Sequence, residues 1–133
     1  MPIDPTIASV LMDHLEGQLA TATKVTKPWG EEVIVATDDC VIKVIEVDED
    51  HRTSLQYHVE KDELIIPFDG TGYIAAYLAW NEDGDKGEAR VSGGGAIRLR
   101  PGVRHRAVGP LRFLEISTPH LDDVVRVQDD YRP

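Results

Sequence analysis

Residues 54–72 read SLQYHVEKDELIIPFDGTG and residues 97–105 read IRLRPGVRH. In the first stretch Gln56 and His58 are two apart, so an extended strand puts them on one face with Ser54. Leu55 and Tyr57 take the opposite face. Glu63 has the wrong parity for that strand, but the intervening VEKD reads as a turn. After it, Glu63 opens the next strand and points back inward. In the second stretch Pro101-Gly102 makes a tight turn and sets His105 early in the strand that follows. Two imidazoles, a carboxylate and an amide oxygen suit one divalent ion, with zinc, manganese, iron, nickel and cobalt all candidates. A single histidine is more often an ordinary surface or core residue. Here two separate segments match one ligand pattern, which favours the metal.

The texture around these segments is that of strands. From Glu32 onward EVIVAT, CVIKVIEV, TSLQYH, ELIIPF, GYIAAYLAW, AIRLR, RHRAV, LRFLEIS and VVRV are short and rich in β-branched residues. Turn material separates most of them, which predicts an all-β antiparallel sandwich or barrel with no helical interruption. NEDGDKGEARVSGGG, residues 81–95, is the longest turn-rich stretch and reads as a flexible loop. Ahead of the strands, Asp4-Pro5 resembles a helix cap and first turn. Ile7, Val10, Leu11 and Leu15 then recur at helical spacing up to Gly17. That predicts one short helix of about three turns, whose apolar stripe covers either the barrel or a partner subunit.

At 133 residues the chain fits one domain, and 41% hydrophobic residues suffice for a core. The formal charge of −10, from 24 acidic and 14 basic residues, opposes nucleic-acid binding and docking on an anionic membrane. An anionic substrate must be drawn in locally, by a metal or a few arginines. Cys40 is the single cysteine, and no stretch reads as a signal peptide or a membrane span. The expectation is a soluble, cytoplasmic protein.

SLQYHVEKDELIIPFDGTG resembles the first cupin motif, with glutamine in place of its first histidine, and IRLRPGVRH resembles the second. KPWG at 27–30, SLQYH at 54–58 and DDVVRVQDDY at 122–131 are similar, in order and spacing, to the type II mannose-6-phosphate isomerase branch of cupins. The likeness covers about residues 24–132. The chain departs from that branch at Val59-Glu60-Lys61-Asp62, where the family has histidines and an arginine, and at Thr118-Pro119-His120. The resemblance implies a single cupin domain: a double-stranded β-helix (jelly-roll barrel) over 24–132 behind a helical extension, 1–23. It implies metal binding by Gln56, His58, Glu63 and His105. The implied activity is a metal-dependent isomerase or epimerase of a sugar, sugar phosphate or related polyhydroxy carbonyl compound, working through an enediolate.

Three residues stand out for that chemistry. Lys43 shares a strand face with Val41, Ile45 and Val47, an odd place for a lysine without a partner. Glu115 shares its face with Leu111, Phe113 and Ser117, and matches a family glutamate. Arg126, the arginine of DDVVR, could hold a phosphate or carboxylate as a fork. The bland alternatives are a Lys43–Glu115 pair and an Arg126 pair with Asp122, Asp123 or Asp129. Competing functions are a metal-dependent oxygenase or lyase, and a non-catalytic sugar-binding module. A homodimer is expected through outward apolar strand residues such as Leu55 and Tyr57.

Overall fold

Alternation in VIKVIEV and LRFLEIS sends Val41, Lys43, Ile45 and Val47 to the same side as Leu111, Phe113, Glu115 and Ser117. All eight are buried. The two segments pair antiparallel, with Lys43 opposite Glu115 and Ile45 opposite Phe113. This pair is the centre of the fold. The computed structural model describes residues 4–18, 22–81 and 84–132.

After helix α1 (Pro5–Gln18) come strands β1 (Thr23–Lys27), β2 (Gly30–Ala36), β3 (Val41–Val47), β4 (Leu55–Tyr57), β5 (Glu63–Asp69) and β6 (Tyr73–Asn81). They are followed by β7 (Gly84–Val91), β8 (Ile97–Leu99), β9 (Arg104–Val108), β10 (Leu111–Ser117) and β11 (Val125–Gln128). Two antiparallel sheets form, ordered β1-β2-β3-β10-β5-β8 and β11-β4-β9-β6-β7. Both contribute to one core, in which Ile45, Ile65, Leu99, Leu111 and Phe113 of the larger sheet meet Ile74 and Ala107 of the smaller. Each large apolar side chain buried there stabilises the fold by about 1.5–3 kcal/mol. The arrangement is a cupin barrel, as the motifs imply.

Gly30 ends the KPWG stretch for a steric reason. Its φ is 153°, and a Cβ there would lie 2.0 Å from the Glu46 carbonyl oxygen. Only glycine lets β2 approach β3 this closely.

Several expectations need correcting. The stretch 81–95 is mostly strand: β7 pairs with β6 from Asn81↔Gly84 to Ile74↔Val91, while residues 82–83 lie outside the described residues. β7 is a sheet edge, where few apolar contacts are needed and a polar sequence is tolerated. β1 begins the sheet earlier than the strand-rich texture suggested. Asp4 does cap α1, its Oδ1 accepting from the Thr6 N–H at 2.7 Å, but the helix runs through Gly17. Its stripe does not cover the barrel: Ile7, Val10 and Leu11 are exposed, and Ala8 is the residue that docks near Val44 and Phe68. The Leu15 side chain lies outside the described ones. Leu55 is buried at 2% exposure, and Tyr57 is covered by Arg104, whose Cζ sits 4.2 Å over the ring. Leu55 thus faces inward rather than outward, and Tyr57 is half-buried.

Candidate metal centre

The Gln-x-His alternation, the turn and the Pro-Gly turn do converge. β4 pairs with β9 through Gln56 opposite His105. The Gly102 N–H donates to the His58 carbonyl at 2.8 Å, and Gly102 takes φ +89° to do so. A short turn thus ties the second motif to the first. Glu63, at the start of β5, is 1% exposed and lies between the two histidines. His58 Nε2 is 3.2 Å and His105 Nε2 is 2.9 Å from the same oxygen, Glu63 Oε1.

These three residues could hold a metal ion, since one ligand atom from each lies within 4.8 Å of the others. Two ligands on one ion, at bonds of about 2.0–2.2 Å, sit roughly 3 Å apart, as these do. His58 Nε2 and both Glu63 oxygens are buried without a hydrogen-bond partner, which is costly unless something else satisfies them. The other ring nitrogens are anchored. His58 Nδ1 faces the Asp123 carbonyl, and His105 Nδ1 faces the Val103 carbonyl at 2.9 Å. Donation from each Nδ1–H leaves the Nε2 lone pair aimed at Glu63, the usual support for a ligating histidine. Gln56 lines the same cavity, its Oε1 accepting from Ser54 Oγ at 2.7 Å.

Beside these three residues lies one that sequence reading missed. Lys61, in the VEKD turn, is 5% exposed. Its Nζ is 3.2 Å from Glu63 Oε2, an ion pair, and 3.0 Å from Glu115 Oε2, to which it donates a hydrogen bond. Burial alone would lower its pKa, but the two carboxylates more than offset this and leave it raised. Burial also pushes Glu63 up, yet His105, His58 and Lys61 beside it more than offset this and hold it below the ordinary carboxylate range. Glu115 goes the other way. Burial, then the charge of Glu63, raises it to about 7, with Lys61 and Lys43 pulling back.

The alternative Lys43–Glu115 ion pair gives way to two others. Lys61 takes Glu115, whereas Lys43 Nζ lies 3.6 Å from Glu32 Oε2, and Lys27 Nζ lies 3.7 Å from Glu32 Oε1. Sequence adjacency across β3 and β10 is real, but Glu32 on neighbouring β2 is also buried beside the lysine. Arg126 lies on exposed β11, with Nε 3.9 Å from Asp129 Oδ2. Trp29 does two jobs, packing on the core and lining the cavity. Tyr131 also lines it, stacked on His51.

Asp123 organises the turn. Its carboxylate accepts from the backbone N–H groups of Val59, Glu60 and Lys61, at 3.0, 2.7 and 2.8 Å. Those bonds depress its pKa to about 2. The stability it contributes is full above the unfolded value, about 3.9, and is lost as pH falls through about 2. Asp123→Ala is expected to lower the urea midpoint at pH 6, with the gap to wild type narrowing by pH 2.5. A pH-independent gap would show that the turn is held otherwise.

No family model and no curated protein matches the chain. Solved structures do. Pac13 of Streptomyces, a nucleoside dehydratase solved with uridine, is 12% identical with a TM-score of 0.63, over 84% of this chain and 88% of that one. KdgF from Halomonas sp. is 19% identical with a TM-score of 0.59, over 76% and 87%. Oxalate decarboxylase from Bacillus subtilis is 12% identical with a TM-score of 0.66, over 82% of this chain and 31% of that one. No helix among the described residues is long and apolar enough to cross a membrane. With two antiparallel sheets, one short helix and these neighbours, the chain has the cupin fold.

Proposed function

We propose that this protein is a metal-dependent isomerase or epimerase of a sugar, sugar phosphate or related polyhydroxy carbonyl compound. One observation carries the reading: His58, Glu63 and His105 converge beside a charged cavity of about 190 Å³ that the Lys61–Glu115 pair also lines. The cavity falls below the roughly 300–1,000 Å³ of drug-sized pockets, so its ligand is small. A divalent ion held by those residues supplies Lewis-acid stabilisation of the charge that develops on a carbonyl oxygen. In this reading Glu115 serves as the base that takes a proton from the carbon next to the carbonyl, and Lys61 fixes its carboxylate. Lys27 and Lys43 share the single carboxylate of Glu32, an excess of positive charge that suits a phosphate or carboxylate substituent. Arg126 adds a further cation along the cavity lining.

The likeness to type II mannose-6-phosphate isomerases supports the same reading. Trp29 of KPWG, Gln56 and His58 of SLQYH, and Asp123 and Arg126 of DDVVRVQDDY all line this one cavity. Dehydration is a second reading, favoured by the nucleoside dehydratase Pac13 on the same fold; it too begins with removal of a carbon-bound proton. The test is incubation of the metal-loaded protein with aldoses, ketoses and their phosphates in heavy water, with and without oxygen. Oxygen-independent interconversion with deuterium at C2 of the aldose or C1 of the ketose is expected. Glu115→Gln should keep the metal and lose about 100-fold or more of the exchange rate. An unsaturated product would move the assignment to the dehydratase, and oxygen consumption would overturn both.

A further inference from the structure

We propose that Lys61 is a positioning residue that restricts Glu63 to one-oxygen ligation of the metal. This rests on the metal-centre reading of the same site, though not on any particular substrate or reaction. The two oxygens of Glu63 face different partners. Oε1 is the one shared by His58 Nε2 and His105 Nε2, at 3.2 and 2.9 Å. Oε2 turns away from them to Lys61 Nζ at 3.2 Å. A carboxylate with both oxygens free can take an ion through either or both. An ammonium on the second oxygen removes that freedom and leaves one more position open for a ligand.

The same ammonium holds Glu115 Oε2 at 3.0 Å, so a second buried carboxylate stays beside the three ligands and is occupied. Lys61 is itself 5% exposed, and its backbone N–H is pinned by Asp123. A lysine suits this role because its ammonium is a compact charge with rotatable donors, able to serve two carboxylates at an angle.

The test uses the full chain loaded with cobalt(II), read by visible absorption and by cobalt stoichiometry rather than by turnover. Lys61→Met leaves Glu115 without a counter-charge and can fail to fold, so the double variant Lys61→Met/Glu115→Gln carries the test beside it. The expected result is cobalt content like wild type, with a shifted visible band about two-fold weaker as Glu63 takes the ion through both oxygens. Lys61→Arg is expected to return the spectrum most of the way to wild type. A folded double variant that binds cobalt with the wild-type spectrum overturns the proposal. So does one that loses cobalt, because Lys61 would then be holding the ion in place rather than shaping its ligand. Wild-type protein that binds cobalt and turns nothing over refutes the isomerase and leaves this inference standing; wild-type protein that binds none overturns both.

Discussion

His58→Ala and His105→Ala, purified without chelator or affinity metal, are each expected to lose more than about 100-fold in divalent-metal affinity. In wild type Glu63 Oε1 lies 3.2 Å from His58 Nε2 and 2.9 Å from His105 Nε2, and His58 Nε2 is buried without a hydrogen-bond partner, so one of the three clustered candidate ligands goes with either histidine. The loss corresponds to about 2.7 kcal/mol of binding free energy. Metal analysis reads it directly. A second reading comes from thermal unfolding, since an ion that binds only the folded state raises the midpoint, and raises it more the tighter it binds. Added zinc or manganese should raise the wild-type midpoint and leave both variants nearly where they were. The control is His51→Ala, because His51 lies outside the cluster, its Nδ1 on the Glu49 carbonyl at 2.8 Å. Full metal stoichiometry in both site variants would remove the metal centre and with it the proposed chemistry.

What made this cluster readable is that its residues obey local rules. Gln56 and His58 follow strand parity, and His105 follows a Pro-Gly turn whose glycine needs a positive φ. Glu63 needs only the turn before it. Lys61 was hidden by the same logic. VEKD has the composition of a solvated turn, and only Asp123, 62 residues further on, bends it so that the lysine enters the barrel. No window of sequence contains both partners. Lys43 shows a milder version of the problem. Parity put it inside correctly, but which carboxylate it meets depended on whether Glu32 of β2 or Glu115 of β10 comes nearer, and Glu32 does so at 3.6 Å. Edge elements failed for a different reason. β7 has little apolar surface to bury, so its hydrogen-bonding to β6 rather than its side chains makes it a strand. The stripe of α1 misled because the helix docks through small Ala8 and leaves Ile7, Val10 and Leu11 in solvent.

Glu115 gives the second large effect. In chelator-treated protein, burial and the neighbouring Glu63 charge hold its carboxyl at about 7, against an ordinary 4.5. Below pH 4.5 the group is protonated in both folded and unfolded chains and costs nothing. Between 4.5 and about 7 the unfolded chain gives up its proton while the folded one keeps it, so stability falls as pH rises. Above about 7 both are ionised and the penalty stays constant. At 1.36 kcal/mol per unit the whole loss is about 3 kcal/mol. Glutamine has the shape and donor of the protonated acid but cannot ionise. Glu115→Gln is therefore expected to match wild type at pH 4 and to exceed it by up to about 3 kcal/mol at pH 8 in urea denaturation. A substitution that removes a partner of a buried lysine would ordinarily destabilise by several kcal/mol, so a gain has the opposite sign to the simple ion-pair expectation. Lys61 keeps Glu63 at 3.2 Å in the variant, which is why its charge stays compensated. Equal pH slopes in the two proteins would mean that Glu115 is ionised throughout and serves as a fixed counter-charge instead of a proton carrier.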